Sequence, residues 1–264
     1  NNARYQYYSG LLKYKRTFAE VHNIDAMFGI NAEKWVTKKV VTAREKFEDV
    51  GIYDLNLATG TQGNGGGKTH NGTYSYIARL NYNYAEKYMV ELMGRRDGNS
   101  KFASGYRFKS FGSVSLGWAF SEEQFVEFLK PVLSFGKLRL SYGSSGNDVG
   151  LGDYDYVSTV SLGTAGFGTI PANQVSSGFG GLISYDRTWE KVSQKNFGID
   201  LNFFDNRLKA TFDYFIKDNT GMLVNVTYPG VLGGKAPKTN SGHLNVKGWE
   251  FTIGWRDQIK DFSY

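Results

Sequence analysis

Apolar and polar residues alternate along most of this chain. In Tyr74, Tyr76, Ala78, Leu80, Tyr82 and Tyr84 one parity is apolar or aromatic; Ser75, Arg79, Asn81 and Asn83 hold the other, with Ile77 the exception. Successive strand side chains point to opposite faces, so this spacing predicts a strand with one greasy and one wet face. The split recurs. Val114, Leu116, Trp118 and Phe120 oppose Ser113, Ser115 and Gly117, and Leu138, Leu140 and Tyr142 oppose Lys137, Arg139 and Ser141. Phe197, Ile199, Leu201 and Phe203 oppose Asn196, Asp200 and Asn202, and Leu208, Ala210, Phe212, Tyr214 and Ile216 oppose Lys209, Thr211, Asp213 and Lys217. Trp249, Phe251, Ile253 and Trp255 oppose Glu250, Thr252 and Arg256; a weaker instance sets Ile24, Ala26, Phe28 and Ile30 against Asp25 and Asn31. Helical spacing occurs in one place, where Ser121-Glu122-Glu123 followed by Phe125, Val126, Phe128 and Leu129 predicts a capped short helix ending before Pro131.

The pattern predicts nine strands, near 5–18, 23–37, 72–84, 87–98, 108–120, 133–145, 188–204, 207–219 and 246–257. Connections then alternate in length. Short ones fall near 19–22, 85–86, 205–206 and 258–261, with the helical segment 121–132 in the same set; long ones are 38–71, 99–107, 146–187 and 220–245. In an up-and-down meander, alternate connections share an end, so one end is tight and the other carries large loops, as in outer-membrane β-barrels. Several strands reach the roughly 9–11 tilted residues that span a bilayer, against about 5–6 for an average globular strand. Tyr82, Tyr84, Tyr88, Trp118, Trp249 and Trp255 cluster near strand ends, where an interfacial aromatic girdle belongs. The expected fold class is all-β, an antiparallel transmembrane β-barrel of which residues 1–264 form part. A soluble β-sandwich with ordinary core alternation is the competing fold.

Composition sharpens this. Mean hydropathy is −0.41, and no apolar run approaches the roughly 18 residues of a spanning helix. That excludes a helical membrane protein but not a barrel, whose strands look polar on average. The 264 residues include 33 Gly and only 4 Pro, and 16% are aromatic, which argues against both a collagen-like chain and disorder. With no cysteine there is no disulfide framework, thiol nucleophile or Cys-ligated metal. The formal charge of +6 is dispersed, so it is not a nucleic-acid footprint. The chain opens on Asn1-Asn2 and closes on Phe262-Ser263-Tyr264, which reads as the start of another strand, so a piece of a larger protein is expected.

Candidate chemistry is sparse. Gly60 to Thr69 ends like a phosphate-binding loop, but Gln62 stands where the first glycine belongs and no strand-to-helix switch surrounds it, so a flexible loop is expected. His22, His70 and His243 share no metal-ligand spacing and are expected in loops or a turn. Asp148, Asp153 and Asp155 form an acidic loop cluster that fails the EF-hand spacing; loop calcium is the one cofactor it would admit, and a solvated loop is the plainer reading. No Gly-x-Ser-x-Gly occurs, and no Ser–His–Asp set is evident, so no catalytic residue is expected.

Under a barrel reading the wet parity faces the lumen: Glu91, Arg95, Asp97, Lys137, Arg139, Asp200, Asp213, Glu250 and Arg256. The opposite parity faces lipid: Leu116, Trp118, Leu140, Ile199, Leu201, Phe212, Phe251 and Ile253. Charges on the lipid face would cost about 2–4 kcal/mol at the midplane; in the lumen they either pair to hold wall and plug or act on a passing solute. The loop aromatics Tyr154, Tyr156, Phe167, Phe179, Tyr185 and Tyr228 are candidates for stacking on sugar rings or peptide side chains, with loop self-packing as the alternative.

The run Lys87-Tyr88-Met89-Val90-Glu91 through Arg95-Arg96-Asp97-Gly98-Asn99-Ser100-Lys101-Phe102 resembles the hallmark strand and loop of SusC/RagA-type TonB-dependent transporters of Bacteroidetes. The order continues as in that family: Phe111 to Trp118 before Ser121 to Phe125, then Lys137 to Gly143 leading to Gly146-Asn147. Trp189-Glu190-Lys191 with Gln194, Asn196, Gly198 and Asp200 follows, then Asn206-Arg207-Leu208 with Asp213-Tyr214-Phe215, and finally Asn240, Gly242, Asn245, Gly248 and Glu250. The likeness covers roughly residues 70 to 257, and the first 70 fit only generically.

The resemblance implies a barrel of about 22 strands around a plug. This chain would hold fewer than half the strands, without the plug, the N-terminal extension or the C-terminal strands. It further implies an integral outer-membrane importer of oligosaccharides or oligopeptides. Its partners would be outer-membrane lipid, a SusD-like surface lipoprotein over the mouth, and TonB acting through the plug. Three rivals remain: a passive porin or adhesin barrel, a soluble carbohydrate-binding β-sandwich, and a barrel-rim hydrolase using His70 or His243.

Overall fold

The computed structural model describes residues 1–264 apart from 48–50, 52–53, 168–171, 180, 234–235, 260–261 and 264. Its strands are β1 (Asn2–Phe18), β2 (His22–Arg44), β3 (Gln62–Tyr84), β4 (Tyr88–Asn99), β5 (Phe108–Trp118), β6 (Leu133–Asn147), β7 (Val160–Phe167), β8 (Ala172–Phe179), β9 (Glu190–Phe203), β10 (Leu208–Val224), β11 (Thr239–Trp255), β12 (Gln258–Ile259) and β13 (Phe262–Ser263). Nine of them form one antiparallel sheet in the order β1-β2-β3-β4-β5-β6-β9-β10-β11. Every neighbour is the next strand along the chain, except that the hairpin β7–β8 is set aside within the β6–β9 connection. This is the expected all-β meander.

Directly opposed positions cross the whole sheet, and its register shifts fall near strand ends. One row links Phe18, His22, Tyr84, Tyr88, Trp118, Leu138, Ile199, Phe212 and Phe251 through directly opposed positions. The adjoining row, on the opposite face, is Thr17, Asn23, Asn83, Met89, Gly117, Arg139, Gly198, Asp213 and Glu250. A one-residue step therefore crosses from a greasy to a wet surface on every strand. The greasy surface is uncovered: Leu140 is 52% exposed, Phe251 56% and Ile253 62%. A soluble sandwich would bury this face under a second sheet; among the described residues no second layer lies on it. No helix among the described residues is long and apolar enough to cross a membrane.

At the tight end the turns are held by non-glycine residues in the left-handed region. Ala19 and Glu20 have φ of 45° and 60°, and Ala85 and Glu86 of 50° and 58°. Val21 N–H donates to the Phe18 carbonyl and Lys87 N–H to that of Tyr84. Two positive φ values give the mirror-image turn that matches strand twist.

The structure corrects four expectations. First, β2 and β3 run past their expected limits to Arg44 and from Gln62, so the glycine-rich stretch is a paired strand, not a flexible loop, with Lys38 opposite Lys68 and Val40 opposite Gly66. On β3 both faces are polar or glycine there, and on β2 the adjacent Val40 and Val41 fall on opposite faces, so no alternation signals a strand whose backbone pairing nonetheless continues. Second, β11 begins at Thr239 rather than near 246, and His22, His70 and His243 all lie within strands, not in a turn or loops. Third, the long connection 146–187 carries the small hairpin β7–β8, and the short strands β12 and β13 pair at the expected short connection 258–261. Fourth, the expected capped helix is two 3₁₀ turns, Phe120–Glu122 and Gln124–Leu129, without side-chain caps and separated by an extended Glu123. Phe125 and Phe128 are 65% and 76% exposed, so no buried face holds a longer helix together.

Candidate functional site: the wet face and the mouth

Register gathers Glu91, Arg95, Asp97, Arg139, Asp200, Asp213 and Glu250 on one face, and Leu116, Trp118, Leu140, Ile199, Leu201, Phe212, Phe251 and Ile253 on the other. At the centre of the wet face Arg139 bridges two carboxylates. Its Nε and Nη2 donate to Asp200 at 2.7 and 3.1 Å, and Nη2 also reaches Asp213 at 3.0 Å. Thr211 and Asn196 donate to the same two acids. Gly198 sits under this group, where a Cβ would lie 2.5 Å from Asp213 Oδ1 and 2.7 Å from Arg139 Cζ, so the guanidinium occupies space a side chain would need. A recess of about 540 Å³ runs beside it, lined among others by Lys15, Asp25, Asn81, Glu91, Lys137 and Arg139. Glu250 stands opposite Asp213 on the edge strand β11. Arg256 lies just past that strand, its N–H donating to the Arg207 carbonyl.

Toward the long-loop end the wet face becomes buried. Arg95 holds Asp97 through two hydrogen bonds of 2.6 and 2.8 Å, and Asp97 is 5% exposed. Asn99, 3% exposed, donates to Asp148, which Lys101 also approaches at 3.8 Å. Above them Phe102, Phe111, Leu151 and Trp189 form the buried cluster, with Leu223 packed against it. Trp189 Nε1 donates to the Arg107 carbonyl at 2.9 Å, and Gly146 leaves room for the Phe111 and Trp189 rings. Glu190 accepts from Asn147 at 2.8 Å and from Leu223 N–H at 2.7 Å. Asn240 links Thr188 to Gly221. The loop following β6 is thus fastened across the tips of β3, β4, β5 and β10.

The acidic loop cluster is dispersed by this fastening. Asp148 goes to Asn99 and Lys101, Asp153 accepts from Asn71, and Asp155 accepts from Gly152 N–H and pairs with Arg187. Among the described residues no group of three or more His, Asp or Glu is placed to share a metal ion. The polar partners of the histidines are Tyr82 for His22, Tyr154 for His70 and Asp218 for His243.

Of the loop aromatics, Tyr154 is committed to His70 through its hydroxyl and an edge-on ring contact. Tyr156 is half-buried, while Tyr185 and Tyr228 are exposed. The side chains of Phe167 and Phe179 lie outside the described residues. Sequence reasoning missed a second aromatic pair, Tyr5 and Trp35, opposed in register on the wet face with ring centroids 4.1 Å apart. It also missed the structural part of Trp189, because the buried cluster draws on separate loops and strand ends that share no period.

The tight end carries its own polar tie. Glu123 accepts from the Tyr88 hydroxyl at 2.7 Å and from Trp118 Nε1 at 3.2 Å, with Lys87 nearby at 3.5 Å. These donors, Tyr88 first, hold the Glu123 carboxyl below its ordinary pKa. One carboxylate thereby fixes two girdle aromatics and the turn that follows them.

A family profile described as "TonB dependent receptor-like, beta-barrel" matches residues 1–264. TonB-dependent receptor P39 of Formosa agariphila is 31% identical over 253 residues, spanning 91% of this chain and 23% of its own length. TonB-dependent receptor SusC of Bacteroides thetaiotaomicron is 30% identical over 200 residues, 74% of this chain and 20% of its own. The chain thus spans about a quarter or less of these curated relatives. Among solved structures, the RagAB peptide importer in its closed-closed state superposes with a TM-score of 0.85 at 22% identity, over 98% of this chain and 28% of that one. The siderophore receptor PirA from Acinetobacter baumannii gives 0.56 at 13% identity, over 96% and 34%. By the profile that covers it end to end, this chain belongs to the TonB-dependent receptor-like β-barrel family, and its resemblance falls on the SusC- and RagA-type members.

Proposed function

We propose that this chain is the wall and mouth of an active importer integral to the outer membrane. The greasy face meets acyl chains, the wet face lines a hydrated lumen, and the fastened loops frame the outer opening. Transport is driven by TonB through a plug supplied by the rest of the protein. The solute is an oligosaccharide or oligopeptide delivered with a SusD-like surface lipoprotein, and no bond is made or broken, so no residue here is catalytic and no cofactor is required. The observation that carries this reading is the uninterrupted division of a nine-stranded sheet into an uncovered apolar face and a face with a bridged Arg139–Asp200–Asp213 group. A bilayer accepts the first and a water-filled barrel accepts the second.

The test uses the full-length protein in its own envelope. Uptake of labelled oligosaccharides and oligopeptides is measured with and without a protonophore, and the detergent-solubilised protein is checked for a co-purifying lipoprotein. Uptake that stops when the proton gradient collapses supports the reading. Uptake indifferent to the gradient makes the barrel a passive pore.

A further inference from the structure

On β1, β2 and β3 the greasy face changes character at one level. The last apolar row is Tyr8, Ala32 and Tyr74, directly opposed. The next three rows on the same face are Gln6–Lys34–Gly72, Arg4–Val36–His70 and Asn2–Lys38–Lys68. They carry Arg4, Lys34, Lys38 and Lys68, all exposed, and no carboxylate. None of the four has an ion pair among the described residues. Lys38 and Lys68 stand directly opposite each other, an arrangement that destabilises a sheet unless a counter-charge is present. The side chains of Arg4, Lys34, Lys38 and Lys68 enclose, with Asn2 and Gln6, a cleft of about 400 Å³.

Height fixes what the cleft faces. With about 3.4 Å of rise per residue and a tilt of about 40°, Lys34, twelve residues beyond His22, sits about 31 Å from the tight-turn end. Lys68, sixteen residues from Tyr84, sits about 42 Å away on the same scale. The apolar band of an outer-membrane barrel is about 25 Å tall. The four cations therefore lie above the lipid band, from Lys34 nearest its edge to Lys38 and Lys68 about 17 Å beyond it on this scale, on the outer face of the sheet and not the lumen face.

We propose that Arg4, Lys34, Lys38 and Lys68 form a binding site for the phosphate groups of outer-leaflet lipid headgroups. Complementary charge argues for it: three lysines and an arginine, with no acid in the same rows, lie on the side of the outer headgroup layer, which presents phosphate. The site rests on the membrane reading above and extends it from a generic lipid face to a specific headgroup contact.

The test uses full-length protein purified in detergent and stripped of lipid. Short-chain phosphatidic acid is titrated and bound copies are counted by native mass spectrometry, with short-chain phosphatidylcholine and inorganic phosphate as comparison ligands. Each cation near a surface of anionic headgroups contributes about a fivefold factor. Replacing all four (Arg4→Gln, Lys34→Gln, Lys38→Gln, Lys68→Gln) is thus expected to weaken phosphatidic acid binding by at least tenfold. The triple Lys→Arg variant, which keeps the charge, and Lys39→Gln on the wet face should bind as wild type. Heat-modifiable gel mobility establishes that each variant is folded, and if the quadruple variant is not, Lys38→Gln alone carries the test with an expected loss of about fivefold. Unchanged affinity in the folded charge-removal variant overturns the proposal. So does inorganic phosphate competing as well as the lipid, which would make the cleft a simple anion site, or loss of lipoprotein association with lipid binding intact, which would make it a protein contact. If wild-type protein leaves the envelope without detergent, the membrane reading itself fails, an outcome separate from all of these.

Discussion

Leu140 and Arg139 are neighbours in β6 and face opposite ways, so they make a controlled pair. Leu140 lies opposite Leu116 on one side and Phe197 on the other, with half its surface uncovered. Leu140→Arg places a charge where those neighbours supply no counter-ion, and in a bilayer this costs about 2–4 kcal/mol near the midplane. That is a factor of roughly 30 to 900 in the folded ratio. Arg139→Leu acts differently. It leaves Asp200 and Asp213 without their shared cation, but Thr211 and Asn196 still donate to them and both acids keep some contact with water. Its cost is about 1–3 kcal/mol, that of polar groups losing one partner, and adding Asp213→Asn should recover part of it by removing the repulsion. The assay is insertion of full-length protein into vesicles, scored by flotation and heat-modifiable mobility, with urea midpoints for the species that insert. Leu140→Arg should insert poorly, whereas Arg139→Leu should insert with a lowered midpoint. Equal insertion of both, or failure of Arg139→Leu alone, would refute the assignment of faces.

Three further outcomes follow from particular contacts. The Glu123 carboxyl is held below its ordinary pKa by Tyr88 and Trp118, so its contribution is complete at neutral pH and is lost as acid takes the pH down through the lowered value; protease cleavage in 119–132 should rise on acidification in wild type, and in Glu123→Gln it should already be high at neutral pH. Ala85→Asn with Glu86→Gly supplies residues suited to positive φ at both turn positions and should raise the urea midpoint by about 1–2 kcal/mol of stability; no change would mean the turn is not left-handed. Trp189→Ala removes the centre of the mouth cluster, a loss of about 3–5 kcal/mol in packing, and should expose residues 148–187 to trypsin while the barrel still inserts; an unchanged digestion pattern would show that the loop is held elsewhere.

The parts legible in the sequence are those where one face of the sheet is apolar and the other polar, so that adjacent residues carry opposite chemistry. From Ile24 to Ala32 and from Tyr74 to Tyr84 the period of two is visible, and the structure pairs those segments as expected. Beyond Lys34 and before Tyr74 both faces meet polar surroundings, so alternation fades while the ladder continues to Arg44 and Gln62. The mouth was illegible for another reason. Phe102, Leu151 and Trp189 come together only after distant segments fold over one another, and Asp148, Asp153 and Asp155 look like one cluster until each finds its own partner. Tertiary fastening of this sort has no spacing to read.

The same constraint governs where the ladder is allowed to be irregular. A slip of one residue would turn a whole strand inside out, sending Arg139 or Asp213 toward lipid at about 2–4 kcal/mol for a midplane Arg or Lys. The register shifts that the main sheet does contain fall at strand ends, between Leu133 and Phe135 at the tight end and between Thr220 and Leu223 at the mouth. Between them, from Leu138 to Asn147 on β6 and from Leu208 to Thr220 on β10, pairing is continuous. Bulges are thus confined to levels where both faces meet water or protein and a reversed side chain costs little. At those levels the backbone is free to bend, and there the loops that frame the mouth depart from the wall. An insertion of one residue beside Leu140 should therefore abolish assembly, whereas one beside Met222 should be accepted, and tolerance of both would mean that the two faces of the sheet are not held apart by a membrane.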